Sequence, residues 1–168
     1  MEIEALFQLS YGLYIISTKK GEKANGCVVN TVMQVTSNPP RISTTISKDN
    51  LTHDLIMETG EYTVSIMGQK VPPIFIGRFG FQSGRDIDKF KDTPHELDSR
   101  GIPYLKDGMM SYLSCKVVDH LDVGTHTIFV AELVDGAVFP TEDEAMTYAY
   151  YRKVKKGTVP KAAPTFRG

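Results

Sequence analysis

Period-two alternation recurs along this chain and limits its fold more than any other feature. In residues 41–47 the positions Ile42, Thr44 and Ile46 fall on one side of an extended backbone; in residues 61–67 Tyr62, Val64 and Ile66 do the same. Short runs of this kind, bounded by glycine, proline and asparagine, read as half-buried strands of antiparallel sheet. Residues 11–18 form another strand candidate, and "KKGEKAN" turns it back into "GCVVNTVMQV" as a hairpin partner. Residues 109–139 read as two long strands joined by "DHLDVG".

Helical signals are fewer. Asp49 or Asn50 can cap a short helix carrying Leu51, Leu55 and Ile56, with Gly60 as its stop. The prolines of "VPPIFIGRFGF" suit a first helical turn. "SGRDIDKF" predicts one further short helix, and Thr141 with Glu144 makes a capping box that predicts a helix after it. Ile3, Leu6 and Phe7 give a short amphipathic start, residues 91–108 read as loop, and prolines in the tail exclude a continued helix. Many short strands with small inserted helices predict a mainly β fold, a closed antiparallel barrel with short peripheral α-helices. No linker to a second domain is visible.

Bulk properties exclude several function classes. The 168 residues include 19 basic and 20 acidic side chains, which nearly cancel, and no basic run stands out. Nucleic-acid and anionic-membrane binding are therefore not expected. No apolar run approaches the roughly 20 residues of a membrane span, and no signal-peptide pattern is present; the expected location is the cytoplasm. Cys27 and Cys115 form no CxxC pair and sit in apolar stretches, as buried reduced thiols do. The four histidines show neither HxxxH nor HExxH spacing, so no metal site is indicated.

One stretch breaks the amphipathic pattern. In "VVNTVMQVTSNPP", residues 28–40, alternation puts Asn30, Gln34 and Thr36 on one face with Val32, and Thr31, Met33 and Val35 on the other. The polar face carries amides and a hydroxyl but no charge. "RISTTIS" and "KDNLTH" follow at once, so adjacent strands would bring Asn30, Thr31, Gln34, Thr36 and Ser37 near Lys48, Asn50 and Thr52. Uncharged amides and hydroxyls suit a flat heteroaromatic ring edged with carbonyls and ring nitrogens. A lysine, an amide and a hydroxyl beside a helix N-terminus suit a phosphate. The competing reading is that Asn50 and Thr52 only cap a helix while the others face water.

Two further places have a bland and a functional reading. In "GRFGF", residues 77–81, the glycines permit close backbone approach, while Phe79 and Phe81 either shield a ligand or pack in the core. His126 follows a glycine turn between Thr125 and Thr127, on a face that continues with Ile128 and Val130. It is either a satisfied structural histidine or a titratable donor at the interior mouth of a barrel.

The motifs "SYGLYIIST", "NTVMQVTSNPP", "SKDNLTHDLI", "FIGRFGFQSG", "DVGTHTIFVAELVD", "TYAYY" and "KKGTVPKAAPT" follow one another in the order of a known family. The chain resembles the flavin reductase-like, FMN-binding split barrels, in particular NAD(P)H-dependent ferric and flavin reductases and the flavin domain of rubredoxin-fused relatives. The resemblance implies an antiparallel Greek-key split barrel spanning residues 1–168 as one domain. It also implies a homodimer with one non-covalent FMN per subunit, reduced by NADH or NADPH. Asn30, Thr31, Gln34, Thr36 and Ser37 match the strand along the isoalloxazine. Lys48, Asn50 and Thr52 match the segment serving the ribityl phosphate, and Phe79, Gly80 and Phe81 approach the cofactor. His126 matches a histidine where the nicotinamide or acceptor stacks, which makes it the catalytic candidate. The implied function passes electrons from NAD(P)H through FMN to free flavin, a ferric chelate or a redox protein. The alternative readings are a non-enzymatic FMN electron carrier and a barrel that binds some other ligand. Thr45 stands where the ferric-reductase pattern has a cysteine, and no rubredoxin-type CxxC pairs follow.

Overall fold

A computed structural model describes residues 2–158, 160, 161, 163 and 165. A short 3-10 helix, Ile3–Gln8, leads into β1 (Tyr14–Lys20) and β2 (Lys23–Val29). The tight turn between these two strands rests on Gly21, whose φ of 57° suits a primed hairpin turn. β3 (Val32–Ser37) and β4 (Pro40–Ser47) form a second hairpin, and α1 (Leu51–Thr59) follows directly. Asn50 caps α1, its Oδ1 accepting from Thr52 N at 3.0 Å, and Gly60 at φ 68° closes it. After β5 (Glu61–Met67) come α2 (Pro73–Phe81), the two-residue strands β6 (Glu96–Leu97) and β7 (Pro103–Tyr104), the long pair β8 (Met109–Asp122) and β9 (His126–Val138), and α3 (Tyr148–Lys153).

The order β2-β1-β5-β8-β9-β4-β3 makes one antiparallel sheet of seven strands. β2 and β3 occupy its opposite ends, yet only Asn30 and Thr31 separate them in sequence. Three residue steps reach at most about 11 Å, whereas a flat sheet of that size would be about 29 Å wide. The sheet must therefore curl until its two ends meet, which is the closed barrel expected from sequence. The seam lies at Asn30–Thr31.

Alternation along each strand produces two cores. Ile16, Cys27, Val29, Ile42, Ile46, Tyr62, Val64, Cys115, Phe129 and Ala131 fill the barrel together with Ile56 of α1. Ile15, one residue from Ile16, points outward and joins Leu13, Met67, Val71, Phe75, Phe79, Phe90, Leu105, Met109, Met146 and Tyr151 under α2, α3 and the loop before β8. Inside the barrel the Tyr62 hydroxyl donates to Thr44 Oγ1 at 3.0 Å. No helix among the described residues is long and apolar enough to cross a membrane.

Local expectations fail where tertiary contacts claim the backbone. "GCVVNTVMQV" is two strands, because the chain crosses the seam inside it. "SGRDIDKF" forms turns: a Cβ at Gly84 would overlap the Asn25 side chain, and Asp88 Oδ1 accepts from Phe90 N and Lys91 N. Lys89 within it is buried and donates to Gly26 O at 2.8 Å and Phe79 O at 3.2 Å; burial pushes its ammonium below the usual lysine range. No helix begins at Thr141. Gln69 N donates to Glu144 O, and Met146 N to Met67 O, so this backbone pairs with the end of β5. The helix starts later, with Thr147 Oγ1 accepting from Tyr150 N. The tail expectation lies partly outside the described residues.

Phe129 is 1% exposed at the centre of the barrel. Phe129→Ala should lower unfolding free energy by about 3–5 kcal/mol, as read by urea titration. A loss below about 1 kcal/mol would show that the interior collapses around the gap.

Candidate functional site

The seam gathers much of the polar set picked out from the sequence. Thr31 bonds to Thr45 of β4 in both directions, Thr45 N donating to Thr31 O at 3.1 Å and Thr31 Oγ1 donating to Thr45 O at 3.0 Å. On β4, Ile42, Thr44 and Ile46 are buried inward, so Ser43, Thr45 and Ser47 face the outer side. Across the β4–β9 ladder Ser47 lies opposite His126 and Thr45 opposite Ile128. Lys48 continues this edge, its N donating to Thr125 O at 3.0 Å. Its ammonium pairs with Asp122 at 2.6 Å and, with the Gly124 N–H, holds that carboxyl below the usual range. Asn50 stands next, at the N-terminus of α1. A continuous polar strip therefore runs from Asn30 and Thr31 through Thr45 and Ser47 to Lys48 and Asn50, with His126 alongside.

At the Asn30 end a narrow cleft is lined by Val28, Val29, Asn30, Gly80, Phe81 and Tyr148, among others. Asn30 is 6% exposed. Its Nδ2 donates to Thr165 Oγ1 at 2.8 Å, while its Oδ1 is buried with no partner among the described residues. Gly80 packs against Val28, and Phe81 is largely exposed at the rim.

Other expected site residues lie elsewhere. Gln34, Thr36 and Ser37 are exposed along the β3–β4 hairpin. Gln34 Nε2 donates to Thr36 O, and Thr36 Oγ1 to Pro39 O at 2.6 Å. A register slip between Gln34 and Thr36 breaks the alternation that grouped them. At about 3.3 Å per residue, Ser37 stands about 20 Å from Thr31. Phe79 is 1% exposed in the outer core, 5.2 Å from the Phe90 ring, and so takes the packing reading. Thr52 is fully buried, and its Oγ1 accepts from Asn25 Nδ2 at 3.0 Å, so it secures α1 from behind. His126 shares the outer face with Ile128 and Val130, whereas Phe129 and Ala131 point inward; the histidine borders the outer side of the seam and not the interior mouth. Thr125 Oγ1 is 2.8 Å from His126 Nδ1.

Sequence reasoning passed over several participants. Thr45 and Ser47 lie in quoted motifs, but their outward direction depends on the ladder. Arg85 reaches the first turn of α1 from the loop after α2, its guanidinium 2.6 Å from Asp54 Oδ2. His53 ties the same turn to β9 through Nε2 and Thr127 Oγ1, 2.8 Å apart. Tyr148 reaches the cleft from a helix far along the chain.

Comparison with known proteins gives the family of the chain and of its fold. The profile of the flavin reductase like domain matches residues 6–158. Over 166 residues the chain is 48% identical to the high molecular weight rubredoxin of Moorella thermoacetica, covering 99% of this chain and 72% of that one. It is 38% identical over 166 residues to the ferric-chelate reductase (NAD(P)H) of Archaeoglobus fulgidus, covering 99% and 98% of the two chains. Among solved structures, the flavin reductase PheA2 superposes with a TM-score of 0.71 at 26% identity, over 86% of this chain and 88% of its own. An FMN-binding protein of Thermus thermophilus superposes with a TM-score of 0.72 at 22% identity, over 78% and 73%. The chain belongs to the flavin reductase-like family, and its fold is that family's split barrel.

The contact between Arg85 and Asp54 makes the site sensitive to acid. Hydrogen bonds from Arg85 first, then from His53, lower the Asp54 carboxyl below its ordinary value. A depressed carboxyl stabilises the fold above its unfolded value, about 3.9, and that contribution is lost as pH falls through the folded value. Urea midpoints should therefore drop from pH 5 to pH 3 by more in the natural protein than in Asp54→Asn. Identical pH profiles would show that the pair contributes nothing to stability.

Proposed function

We propose that this chain is an FMN-dependent oxidoreductase carrying electrons from NADH or NADPH to an acceptor, either free flavin, a ferric chelate or a redox protein. The observation that carries the reading is the polar strip along the seam, with a buried, unpartnered acceptor at one end and a lysine beside a helix N-terminus at the other. FMN has that same order of parts, a planar ring edged with hydrogen-bonding groups, a polyhydroxyl chain and a phosphate. Bound FMN supplies the hydride-accepting and electron-donating chemistry, while the chain binds, orients and shields it.

Each end of the strip has a defined task. Asn30 Oδ1, buried with no partner among the described residues, would accept a hydrogen bond from the ring and so lose the penalty of an unpaired buried acceptor. Gly80 and Phe81, which line the same cleft, would border the ring. Lys48 would exchange the exposed Asp122 carboxylate for the phosphate, joined by Asn50 at the α1 N-terminus. Gln34, Thr36 and Ser37 lie on the exposed β3–β4 hairpin, away from the strip, and have no task in this arrangement. His126, on the outer face beside Ser47, orients the nicotinamide or the acceptor and can donate a proton there. The family's ferric-chelate reductase of this length, at 38% identity, supports nicotinamide as reductant. Thr45 in place of the pattern's cysteine argues against iron as the preferred acceptor.

The same reading includes one flavin-binding domain over residues 1–168, working as a homodimer. Its support is the outer face of β3, β4, β9 and β8, where exposed apolar side chains stand among polar ones. Met33, Ser43, Val130 and Asp119 share one cross-strand row, and Thr45, Ile128 and Leu121 the next. Met33 is 63% and Leu121 61% exposed in the single chain. Such a face beside a cofactor site is the kind of surface that a second copy covers. Sedimentation should give a dimer, and Leu121→Asp a monomer with weakened flavin binding. A natural protein that sediments as a monomer while holding FMN tightly would refute the assembly.

The protein should purify yellow and release intact FMN on denaturation; absence of flavin together with no binding on FMN titration would sink the assignment. A hydrogen bond to a charged group is worth roughly 1.5–3 kcal/mol, so Lys48→Met should weaken FMN by about one to two decades. Riboflavin, which lacks the phosphate, should bind almost as before. Equal losses for both flavins would return Lys48 to a surface ion pair.

His126→Ala should leave FMN affinity near normal and slow reduction by the nicotinamide, by about 10²–10⁴-fold if it acts as a general acid. Stopped-flow rates and the melting temperature should be taken on one preparation. An unchanged rate with a lowered melting temperature would make His126 structural.

A further inference from the structure

The near-neutral total charge conceals a sharp division. Up to Glu144 the chain has 13 basic and 20 acidic side chains; beyond it there are six basic and none acidic. Arg152, Lys153, Lys155, Lys156 and Lys161 are all exposed, and none forms an ion pair with an acidic group among the described residues. Neighbouring cations without counter-charges raise the local potential.

These charges sit on fixed backbone. Val154 N donates to Tyr150 O at 2.8 Å and Gly157 N to Tyr151 O at 3.0 Å. Gly157 lies so close to the Tyr151 ring that any Cβ there would overlap it, and the Tyr151 hydroxyl donates to Thr158 O. The same helix puts Tyr148 and Tyr151 into the cleft beside Asn30, Gly80 and Phe81. The Arg152 guanidinium is 5.9 Å from the Tyr148 ring, so the positive surface starts at the rim of that cleft.

We propose that the basic surface of Arg152, Lys153, Lys155, Lys156 and Lys161 docks a small acidic electron-carrier protein of the iron–thiolate or iron–sulfur type. The proposal rests on the flavin oxidoreductase reading and names its acceptor. The cations are spread over ten residues of sequence, each exposed and with no acidic partner among the described residues. Such a surface suits long-range steering and the small, transient footprint of an electron-transfer encounter. Each carrier takes one electron as its iron passes from ferric to ferrous. Two carriers oxidise one fully reduced flavin, whose protons leave to solvent.

The test uses the full chain with its flavin and a purified acidic rubredoxin. Binding is followed by calorimetry with both proteins oxidised, and electron transfer by bleaching of the ferric rubredoxin after light-driven flavin reduction. Neither readout depends on NADH or NADPH, so failure of nicotinamide reduction would count against the proposed function and not against docking. Affinity and rate should each fall at least about tenfold between about 20 and 300 mM salt. Lys155→Glu with Lys156→Glu should produce a similar loss at low salt, and Lys155→Gln with Lys156→Gln a smaller one. Reaction with neutral benzoquinone should change less than about twofold. Lys19→Glu with Lys23→Glu, on either side of the β1–β2 turn, should behave as the natural protein. Flavin content and melting temperature confirm that each variant is folded. Salt-independent binding, or unchanged binding in the charge-reversed pair, would overturn the proposal. So would a raised KM for NADPH with carrier binding intact, which would assign the strip to the dinucleotide's phosphates.

Discussion

Two residues, Asn30 and Thr31, join strands that stand at opposite ends of a seven-stranded sheet. That short link forces the sheet to close, and much else follows from it. Closure turns Ile16, Ile46, Val64 and Phe129 into one interior. It leaves a seam where β2 and β3 do not pair, and polar backbone and side chains collect there because ladder partners are missing. Thr31 meets Thr45 across it. The site is thus a product of barrel closure, located where the sheet cannot complete its own hydrogen bonding.

α1 secures this arrangement from one side. Its N-terminus meets the end of β4, its buried Thr52 is tied to Asn25 of β2, and His53 reaches Thr127 of β9. Strands from both sides of the seam are therefore fastened to one helical turn. A ligand at that turn would be held by parts of the chain that are remote in the strand order. Asp54 and Arg85 add a loop that sequence periodicity does not connect to the site at all.

Two parts of the surface expose apolar or positively charged side chains among the described residues. The outer face of β3, β4, β9 and β8 presents Met33, Val130, Ile128 and Leu121 next to the site. The far side of the cleft carries the cations after Tyr151. The subunit contact and the carrier surface proposed above draw on different residues, so neither would displace the other.

The sequence by itself determined the alternating strands, an α1 cap at Asp49 or Asn50 with a stop at Gly60, and the order of family motifs, because each depends on neighbours a few residues apart. It also located Asn30, Thr31, Lys48 and Asn50 within one short stretch. Tertiary structure alone decided which way those groups face. A register slip in β3 set Gln34 and Thr36 on the exposed hairpin, and core packing took Phe79 and Thr52 inward. Pairing with the end of β5 overrode the capping box at Thr141, since Met146 N donates to Met67 O and Glu144 O accepts from Gln69 N, which takes up backbone groups that a helix would have used. His126 shows the same division: its strand was legible, but its face depended on whether Ile128 or Phe129 pointed inward. A two-residue repeat fixes that two faces exist, and only the closed sheet says which one is inside.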